Sequence, residues 1–194
     1  MSAPHIFILM GPSGVGKTVI GHALLRRFKR RKKIITYTTR TARPGEVDHV
    51  DYHFVTPEIF ARKVTASDFI EHAVVHGDSY GSAWEDLEQL QRQGISVLFI
   101  IDIQGAKILK RKLKNAVTIF LMPDSMDSLR ARIERRRSKE TSEQVERRMQ
   151  TARREIAQKD WARHVVFNKQ GARQVAIAAV AKLVKGYMYP FATK

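Results

Sequence analysis

The chain has 194 residues and no cysteine, which excludes disulfide bonds and thiolate metal sites. Lysine and arginine number 35 against 19 aspartate and glutamate residues, and the formal net charge of +16 favours polyanionic partners. No apolar run approaches the roughly 18 residues that a membrane span needs, and no secretory signal pattern is visible, so we expect a cytoplasmic protein.

Strands and helices alternate along most of the sequence. An apolar run at 5–10 that ends in Gly11 and Pro12 predicts a buried parallel strand, and a helix is predicted over 17–28. The same alternation then repeats, with strands predicted at 95–101, 116–121 and 165–167 and helices at 104–112, 125–137 and 172–187. Strands that alternate with helices indicate an α/β fold with a mostly parallel sheet covered on both faces.

The segment from 34 to about 80 interrupts this alternation. It is rich in Thr, Tyr, Arg, Gly and His and contains short alternating runs such as 51–55. We interpret it as an inserted, mostly β lobe that projects from the sheet. Because no internal repeat or long linker is visible, a single domain is expected over 1–194.

Basic residues concentrate in two segments. Residues 26–33 hold seven bases and no acid, and residues 129–154 hold ten bases against four acids. We interpret the first segment as a solvated helix end. Both runs lack the aromatic interleaving that is typical of nucleic-acid binding, so no nucleic-acid partner is expected despite the charge.

A phosphate-binding motif follows the first predicted strand. Residues 11–18 form a complete G-x-x-x-x-G-K-[ST] pattern, which consists of Gly11, Pro12, Ser13, Gly14, Val15, Gly16, Lys17 and Thr18. Small residues let successive backbone N–H groups surround a β-phosphate, and the helix N-terminus adds the positive end of its dipole. Lys17 would reach the β- and γ-phosphates and the Thr18 hydroxyl would ligate Mg²⁺. Many NTPases and kinases share this motif, so it predicts a nucleoside triphosphate site without identifying the acceptor.

The inserted lobe carries groups suited to a second phosphate. Arg40 and Arg43 lie three residues apart, and two tyrosines follow, Tyr52 and Tyr80. Two guanidinium groups and two phenol hydroxyls favour oriented binding of a phosphate monoester. Glu71 is an acid among apolar residues, and a carboxylate can accept from two N–H donors on one edge of guanine that adenine does not present.

These motifs resemble guanylate kinase along essentially the whole chain. They are T-T-R-x-x-R-x-G-E-x-D-x-x-D-Y-x-F at 38–54, followed by F-I-E-x, Y-G-S and D-I-Q-G-A. The resemblance implies a P-loop kinase that uses ATP and Mg²⁺ to phosphorylate GMP or dGMP, with ATP and GMP as its small-molecule partners. It further implies a core over 1–33, 91–124 and 154–194, a GMP-binding lobe over 34–90 and a helical lid over 125–153. The oligomeric state is not indicated.

The resemblance also implies individual residue roles. The GMP phosphate would contact Arg40, Arg43, Tyr52 and Tyr80, and Glu46 would orient the arginines. The guanine would be surrounded by Thr36, Glu71, Gly81, Ser82 and Asp102. The ATP side would include Arg132 and, near the adenine, Asn168. The catalytic residues would be Lys17, Arg43, Arg136 and Arg148, with Arg137 as the stand-in for Arg136.

The sequence departs from the family pattern at three positions. Ile100 stands where the family usually carries an acid two residues before Asp102, and Lys169 replaces a usual acid after Asn168. Thr36 replaces a usual serine and keeps the hydroxyl. The missing carboxylate leaves Asp102 as the only acid at the end of that strand. With no cysteine and no tight carboxylate cluster in the sequence, we do not expect the histidines to bind a transition metal.

Two alternatives to a guanylate kinase remain. One is a relative that phosphorylates another phosphate monoester, such as ribose 1,5-bisphosphate, which would not require Glu71, Ser82 and Asp102. The other is a guanylate kinase-like binding module of the kind found in scaffold proteins. Such modules typically lose the phosphate loop, which is intact in this sequence.

Overall fold

The computed structural model describes residues 4–75, 77–136 and 141–189, without the side chain of Arg136. In chain order the strands are β1 Ile6–Met10, β2 Arg31–Lys33, β3 Thr36–Thr38, β4 Tyr52–Phe54, β5 Phe69–Val75, β6 Asp78–Ala83, β7 Ser96–Ile100, β8 Val117–Pro123 and β9 His164–Asn168. The helices are α1 Lys17–Arg27, α2 Pro57–Thr65, α3 Trp84–Arg92, α4 Ile103–Lys112, α5 Met126–Arg136, α6 Ser142–Ile156 and α7 Arg173–Met188.

Two sheets organise these elements. Within the described ranges, five parallel strands form the main sheet in the order β2-β7-β1-β8-β9, with β1 at its centre. A second sheet of four strands has the order β4-β3-β6-β5 and mixes parallel and antiparallel pairs. The main sheet confirms the predicted α/β fold, because β1, β7, β8 and β9 fall on the apolar runs of the sequence.

The core lies on both faces of the main sheet, and β1 shows the reason. Successive side chains of a strand point to opposite faces. Phe7 and Leu9 accordingly pack in one cluster with residues of α1 and α7, whereas Ile8 and Met10 pack in another with residues of α3 and α4. All four side chains are at most 1% exposed, so β1 is covered by helices on both sides.

The basic segment 26–33 is not a helix end throughout. α1 ends at Arg27, and Arg31–Lys33 form the edge strand β2, which pairs in parallel with β7. The interpretation as a solvated helix end is therefore wrong for the last three residues. The Arg31 guanidinium lies over the Phe28 ring, 4.0 Å from its centroid, and forms a cation–π contact. Long basic side chains suit an edge strand because they discourage pairing with another chain.

The lobe predicted as mostly β also contains helices. α2 begins after Thr56, whose hydroxyl accepts a hydrogen bond from the Ile59 amide at 3.3 Å. A hydroxyl at this position satisfies one of the amides that the first turn leaves unpaired, so the helix starts where its cap stands. A small apolar cluster of Phe60, Phe69 and Ala83 joins α2 to the second sheet.

The turn after β1 depends on Gly11. Its φ is +143°, and a Cβ at this position would lie 2.4 Å from the carbonyl oxygen of Leu121 in β8. The backbone of the phosphate loop therefore passes directly against the neighbouring strand, which a side chain at this position would prevent.

We expect Gly11→Ala to lower the free energy of unfolding by about 2 kcal/mol or more, because the methyl group would meet rigid backbone as well as an unfavourable φ. Gly45→Ala is the matched control: Gly45 also has a positive φ, +85°, but its added Cβ would meet nothing within 4 Å. Chemical denaturation of both variants measures the difference. Equal losses at the two positions would contradict the role given to the close approach at Leu121.

Candidate active site

A cleft of about 200 Å³ lies where the phosphate loop and the second sheet face each other. It sits at the carboxyl end of β1, the position at which open parallel sheets bind ligands. Of the residues predicted from the sequence, those that line it are Pro12, Ser13, Gly14, Gly16, Lys17, Thr18, Thr36, Arg40, Arg43, Tyr52, Glu71, Tyr80, Asp102 and Arg148. The structure therefore brings the predicted triphosphate and acceptor groups into one cavity.

The phosphate loop leaves the first turn of α1 open to an anion. Gly14 and Gly16 have positive φ values, +81° and +99°, and Gly16 is the residue that caps α1. No described side chain forms a cap hydrogen bond there, and no acid stands in the first turn. Lys17 Nζ donates to the carbonyl oxygens of Gly11 and Pro12, the latter at 3.2 Å. Backbone amides, a helix dipole and an ammonium group thus converge on one point.

Asn168 holds the loop from the opposite side. Its side chain is buried, and its Nδ2 donates to the carbonyl oxygen of Val15 at 2.8 Å. A Cβ at Gly16 would lie 2.7 Å from the same nitrogen, so the two residues are packed against each other. The main-chain carbonyl of Asn168 accepts a hydrogen bond from Arg132 Nη2 at 2.9 Å. Asn168 therefore braces the loop, and its proposed adenine contact stays a prediction.

A second cavity of about 720 Å³ opens on this side of the loop. It is lined by Gly14, Gly16 and Thr18 together with both residues predicted for the ATP side outside the motif, Arg132 and Asn168. Lys169 also lines it, so the base found in place of an acid faces this cavity. The two cavities share three residues of the phosphate loop, which lies between them.

The acceptor arginines are organised by Glu46. Both carboxylate oxygens accept from Arg40 Nη2, at 2.9 and 3.0 Å, and one of them accepts from the Arg43 amide at 2.8 Å. Although burial opposes it, these hydrogen bonds lower the pKa of Glu46, so the carboxylate stays charged. The Arg40 guanidinium lies 5.3 Å from the centroid of the Tyr52 ring, and the Tyr52 and Tyr80 rings lie 6.2 Å apart. Glu46 thus lies behind the cleft in contact with both arginines, and its role in orienting them toward a phosphate stays a prediction.

Glu71 is a carboxylate in a nearly dry pocket. Its side chain is 3% exposed, and Oε1 accepts from Ser82 Oγ at 2.8 Å. Burial raises the pKa of Glu71 to about 7, the hydrogen bond from Ser82 opposes the shift, and the charge of Asp102 adds to it. A Cβ at Gly105 would come within 2.8 Å of Glu71 Oε2, so the lack of a side chain at Gly105 makes room for the carboxylate.

Asp102 has a structural task in addition to its place in the cleft. Its Oδ1 accepts from the amides of Gln104 and Gly105, at 2.7 and 3.0 Å, and so caps α4. The cap fixes the end of β7 relative to Glu71.

The other predicted residues outside the two cavities lie behind the cleft surface or beyond the described part of the chain. Gly11, Val15, Gly81 and Ser82 are buried, and Glu46 lies behind the two arginines. The side chain of Arg136 and all of Arg137 lie outside the described residues. Of the predicted lid arginines, Arg148 is therefore the one that the structure brings into the cleft.

Sequence reasoning missed Glu155 and Thr151, which line the same cleft. Both lie on α6 at the spacing that places them on one helix face with Arg148, so helical periodicity could have found them. Burial raises the pKa of Glu155 to about 7, the charge of Lys17 opposes this shift, and that of Asp102 adds to it. An acid of α6 thus interacts electrostatically with the lysine of the phosphate loop.

The site geometry defines a class of protein: a phosphate loop at the carboxyl end of a central parallel strand, across a cleft from an arginine- and tyrosine-rich pocket, is that of a P-loop nucleotide kinase. A model described as "Guanylate kinase" matches residues 3–182. The chain belongs to the guanylate kinase family.

Individual relatives agree with this assignment. A guanylate kinase of Syntrophotalea carbinolica is 41% identical over 170 residues, which cover 88% of this chain and 80% of that protein. One of Rickettsia typhi is 36% identical over 187 residues, 95% and 94% of the two chains. The crystal structure of guanylate kinase from Anaplasma phagocytophilum superposes with a TM-score of 0.78 at 31% identity and covers 96% of this chain and 87% of that one.

Ile100, the off-pattern residue, packs against α1. A Cβ at Gly21 would lie 2.4 Å from its Cδ1, and the side chain also contacts the core cluster that contains Phe7 and Leu9. The same residue lines the cleft. It therefore combines a core position with a place in the cleft lining.

We expect Ile100→Asp to lower the free energy of unfolding by about 2–4 kcal/mol, because it removes this packing and places a charge in a partly buried site. Ile100→Asn has a similar shape without the charge, and Ile100→Val should cost about 1 kcal/mol. Thermal melts rank the three variants. A parent-like melt of Ile100→Asp would contradict the packing role.

An added carboxylate at position 100 would also help to hold Mg²⁺, so the Mg²⁺ concentration for half-maximal rate should fall in Ile100→Asp and not in Ile100→Asn.

Proposed function

We propose that this chain is an ATP:GMP phosphotransferase, which forms GDP from GMP and accepts dGMP as well. The observation that carries the proposal is the single cleft shared by the phosphate loop, the arginine–tyrosine pocket and the buried Glu71. In the proposed reaction an oxygen of the GMP phosphate bonds to the γ-phosphorus of ATP. The bond between that phosphorus and the bridging β–γ oxygen breaks, and ADP leaves with the electron pair.

The acceptor pocket supports guanine as the base. Ionised Glu71 offers an acceptor to neighbouring N–H donors of guanine, with Ser82 and Asp102 beside it. A ribose bisphosphate has no N–H donors, so in its complex the buried carboxylate would keep only its donors from Ser82, which is unfavourable. The intact phosphate loop equally disfavours the binding-module alternative.

Phosphoryl transfer requires charge neutralisation and positioning more than covalent participation by the protein. Lys17 would neutralise the β- and γ-phosphates, and Arg43 would hold the attacking phosphate, with Arg40 oriented by Glu46. Arg148 would approach the transferring group from α6, and Arg136 is proposed as its partner from α5. Arg132 and Asn168 would serve the ATP side.

Mg²⁺ fits the residues around the phosphate loop. Thr18 lines both cavities, and hydroxyl, phosphate and water oxygens are ligands that Mg²⁺ prefers. When bound, Mg²⁺ would reduce the negative charge of the β- and γ-phosphates. Because Ile100 offers no oxygen, Thr18 would be the protein ligand, with Asp102 at most a distant contributor.

Other features of the function stay predictions. In the described ranges no helix combines the length and apolar character that crossing a membrane requires. A cytoplasmic location, the absence of a nucleic-acid partner and the division into core, GMP-binding lobe and lid rest on the sequence and the family resemblance.

ADP release with GMP, dGMP, AMP and ribose 1,5-bisphosphate as acceptors tests the proposed function. GMP and dGMP should support turnover, whereas AMP should be far poorer because it lacks the donors for Glu71. Preferred turnover of ribose 1,5-bisphosphate would replace the proposed acceptor, and no turnover with any acceptor would favour a binding module.

Lys17→Ala should reduce kcat about 100-fold or more while the protein stays folded. The ammonium group would act on oxygens whose charge shifts in the transition state, and losing such a contact costs on the order of 3 kcal/mol. Lys182→Ala, which removes an exposed lysine of α7, controls for the loss of positive charge. Near-normal turnover of a folded Lys17→Ala protein would overturn the assignment of the ATP site.

The raised pKa of Glu71 gives GMP binding a pH dependence. Free Glu71 titrates near pH 7, and guanine donors pair with its ionised form, so binding must displace a proton below that pH. The affinity for GMP should therefore be constant above about pH 8 and should fall by up to about tenfold per unit below pH 7.

Glu71→Gln provides the matched control. The amide places a donor against the guanine donors, so affinity should fall far more for GMP than for ATP, and this part of the pH dependence should disappear. Titration calorimetry between pH 5.5 and 8.5 on both proteins measures these profiles. The GMP phosphate also titrates in this range, but it does so equally with both proteins, so a difference between the two pH profiles is due to Glu71. Identical pH profiles for the two proteins would assign Glu71 a purely structural role.

A further inference from the structure

Two histidines and two carboxylates form a cluster on the second sheet, outside the cleft. His49 and His53 face each other, and their Nδ1 atoms lie 2.7 Å apart. One candidate ligand atom from each of Asp48, His49 and His53 lies within 4.8 Å of the other two. None of these three residues lines the nucleotide cavities, so the proposed reaction leaves the cluster without a role.

Each ring has a carboxylate behind it. The Nε2 atom of His53 lies 4.0 Å from Asp86 Oδ2, and the Nε2 atom of His49 lies 3.3 Å from Asp48 Oδ2. When a carboxylate accepts from one ring nitrogen, the other presents its lone pair, which is the arrangement that protein metal sites use to fix the tautomer. At 2.7 Å one Nδ1 carries the hydrogen that the other accepts. With both Nε2 atoms protonated toward their carboxylates, the two Nδ1 lone pairs would face the same point, and a metal ion would replace the hydrogen bond between them.

Asp86 supplies a separate observation. Its Oδ2 is buried and has no hydrogen-bond partner among the described residues, although Asp86 stands in the first turn of α3. A buried carboxylate oxygen without a partner is unfavourable, and a bound ion that fixes a hydrogen-bond donor beside it would explain its position. An N–H at His53 Nε2, held in place by a metal on Nδ1, would satisfy it after a small approach.

The backbone holds the cluster in place. His49 has a left-handed φ of +60°, and its amide donates to the Tyr52 carbonyl at 2.8 Å. Asp48 Oδ1 accepts from the amides of His49 and Phe54, at 2.9 and 3.0 Å. The ligands are thus fixed to β4 and to the turn before it.

Contrary to the expectation from the sequence, we propose that His49 and His53 form a site for a divalent transition metal, with Zn²⁺ as the reference ion, in which both Nδ1 atoms are ligands and Asp48 and Asp86 orient the rings. Zn–N bonds of about 2.0–2.1 Å in tetrahedral geometry need the two nitrogens about 3.3 Å apart, so the rings must separate by about 0.6 Å. Water completes the coordination. The bound ion ties the turn that begins after Glu46 to β4, and so supports the wall of the acceptor pocket that contains Tyr52.

Titration calorimetry of the nucleotide-free full-length protein with ZnCl₂ tests the proposal. We expect one-to-one binding and a rise in Tm of about 5 °C at saturating Zn²⁺. His49→Asn and His53→Asn should both lose this binding, and Asn tolerates the left-handed backbone at position 49. His72→Asn, at an exposed histidine of β5 outside the cluster, is the matched control and should bind as the parent does.

Asp86→Asn tests whether the carboxylate beside His53 contributes to metal binding, or whether the two facing histidines alone account for it. It removes the orienting charge while keeping the shape, and should weaken Zn²⁺ binding about 10- to 100-fold. Parent-like affinity in this variant would overturn the role of Asp86. No Zn²⁺ binding by the parent, or undiminished binding by His49→Asn and His53→Asn, would overturn the site itself. ¹⁵N spectra of the histidine rings give a readout independent of activity, since Zn²⁺ should shift Nδ1 of these two residues.

Discussion

The phosphate loop depends on a close backbone approach between β1 and β8. Gly11 passes against the Leu121 carbonyl with no room for a side chain, and this sets the direction in which the chain leaves the sheet. α1 then begins at Gly16 without a side-chain cap from the described residues, so its first amides face the cleft. A capped helix start would satisfy these donors internally, whereas this one keeps them for an anion. Asn168 completes the arrangement by holding the Val15 carbonyl from β9.

Opposite this loop, the second sheet and the loop between β3 and β4 place two carboxylates in contrasting environments. Glu46 is surrounded by donors from Arg40 and Arg43, and these hydrogen bonds lower its pKa although burial opposes them. Glu71 is buried with one hydroxyl donor, and its pKa is raised to about 7. The first carboxylate is suited to fixing guanidinium groups, and the second to pairing with donors that only a ligand brings. Environment, rather than residue type, separates their roles.

The net charge of +16 has more than one structural outcome. Some bases occupy the edge strand β2, where Arg31 covers an aromatic ring. Others lie in the clefts, with Arg40, Arg43 and Arg148 in the first and Arg132 in the second. The concentration of bases around both cavities suits two anionic nucleotides whose phosphates must approach each other against their own repulsion.

The sequence by itself determined the alternation of strands and helices, the phosphate motif and the family, because these depend on local periodicity and on residues close together in the chain. The limits predicted for eight elements agree with the structure to within a few residues, namely β1, α1, β7, α4, β8, α5, β9 and α7, and fourteen predicted site residues line one cleft. The strand at Arg31–Lys33 could not be predicted, since three basic residues become a strand only through pairing with β7.

Tertiary structure alone decided the environments of the charged groups. The buried state of Glu71, the entry of Glu155 into the cleft and the facing rings of His49 and His53 each join residues that local patterns treat separately. Ile100 likewise became a core residue only when α1 packed across it. Burial and electrostatic interaction act through space, and the sequence records only distance along the chain.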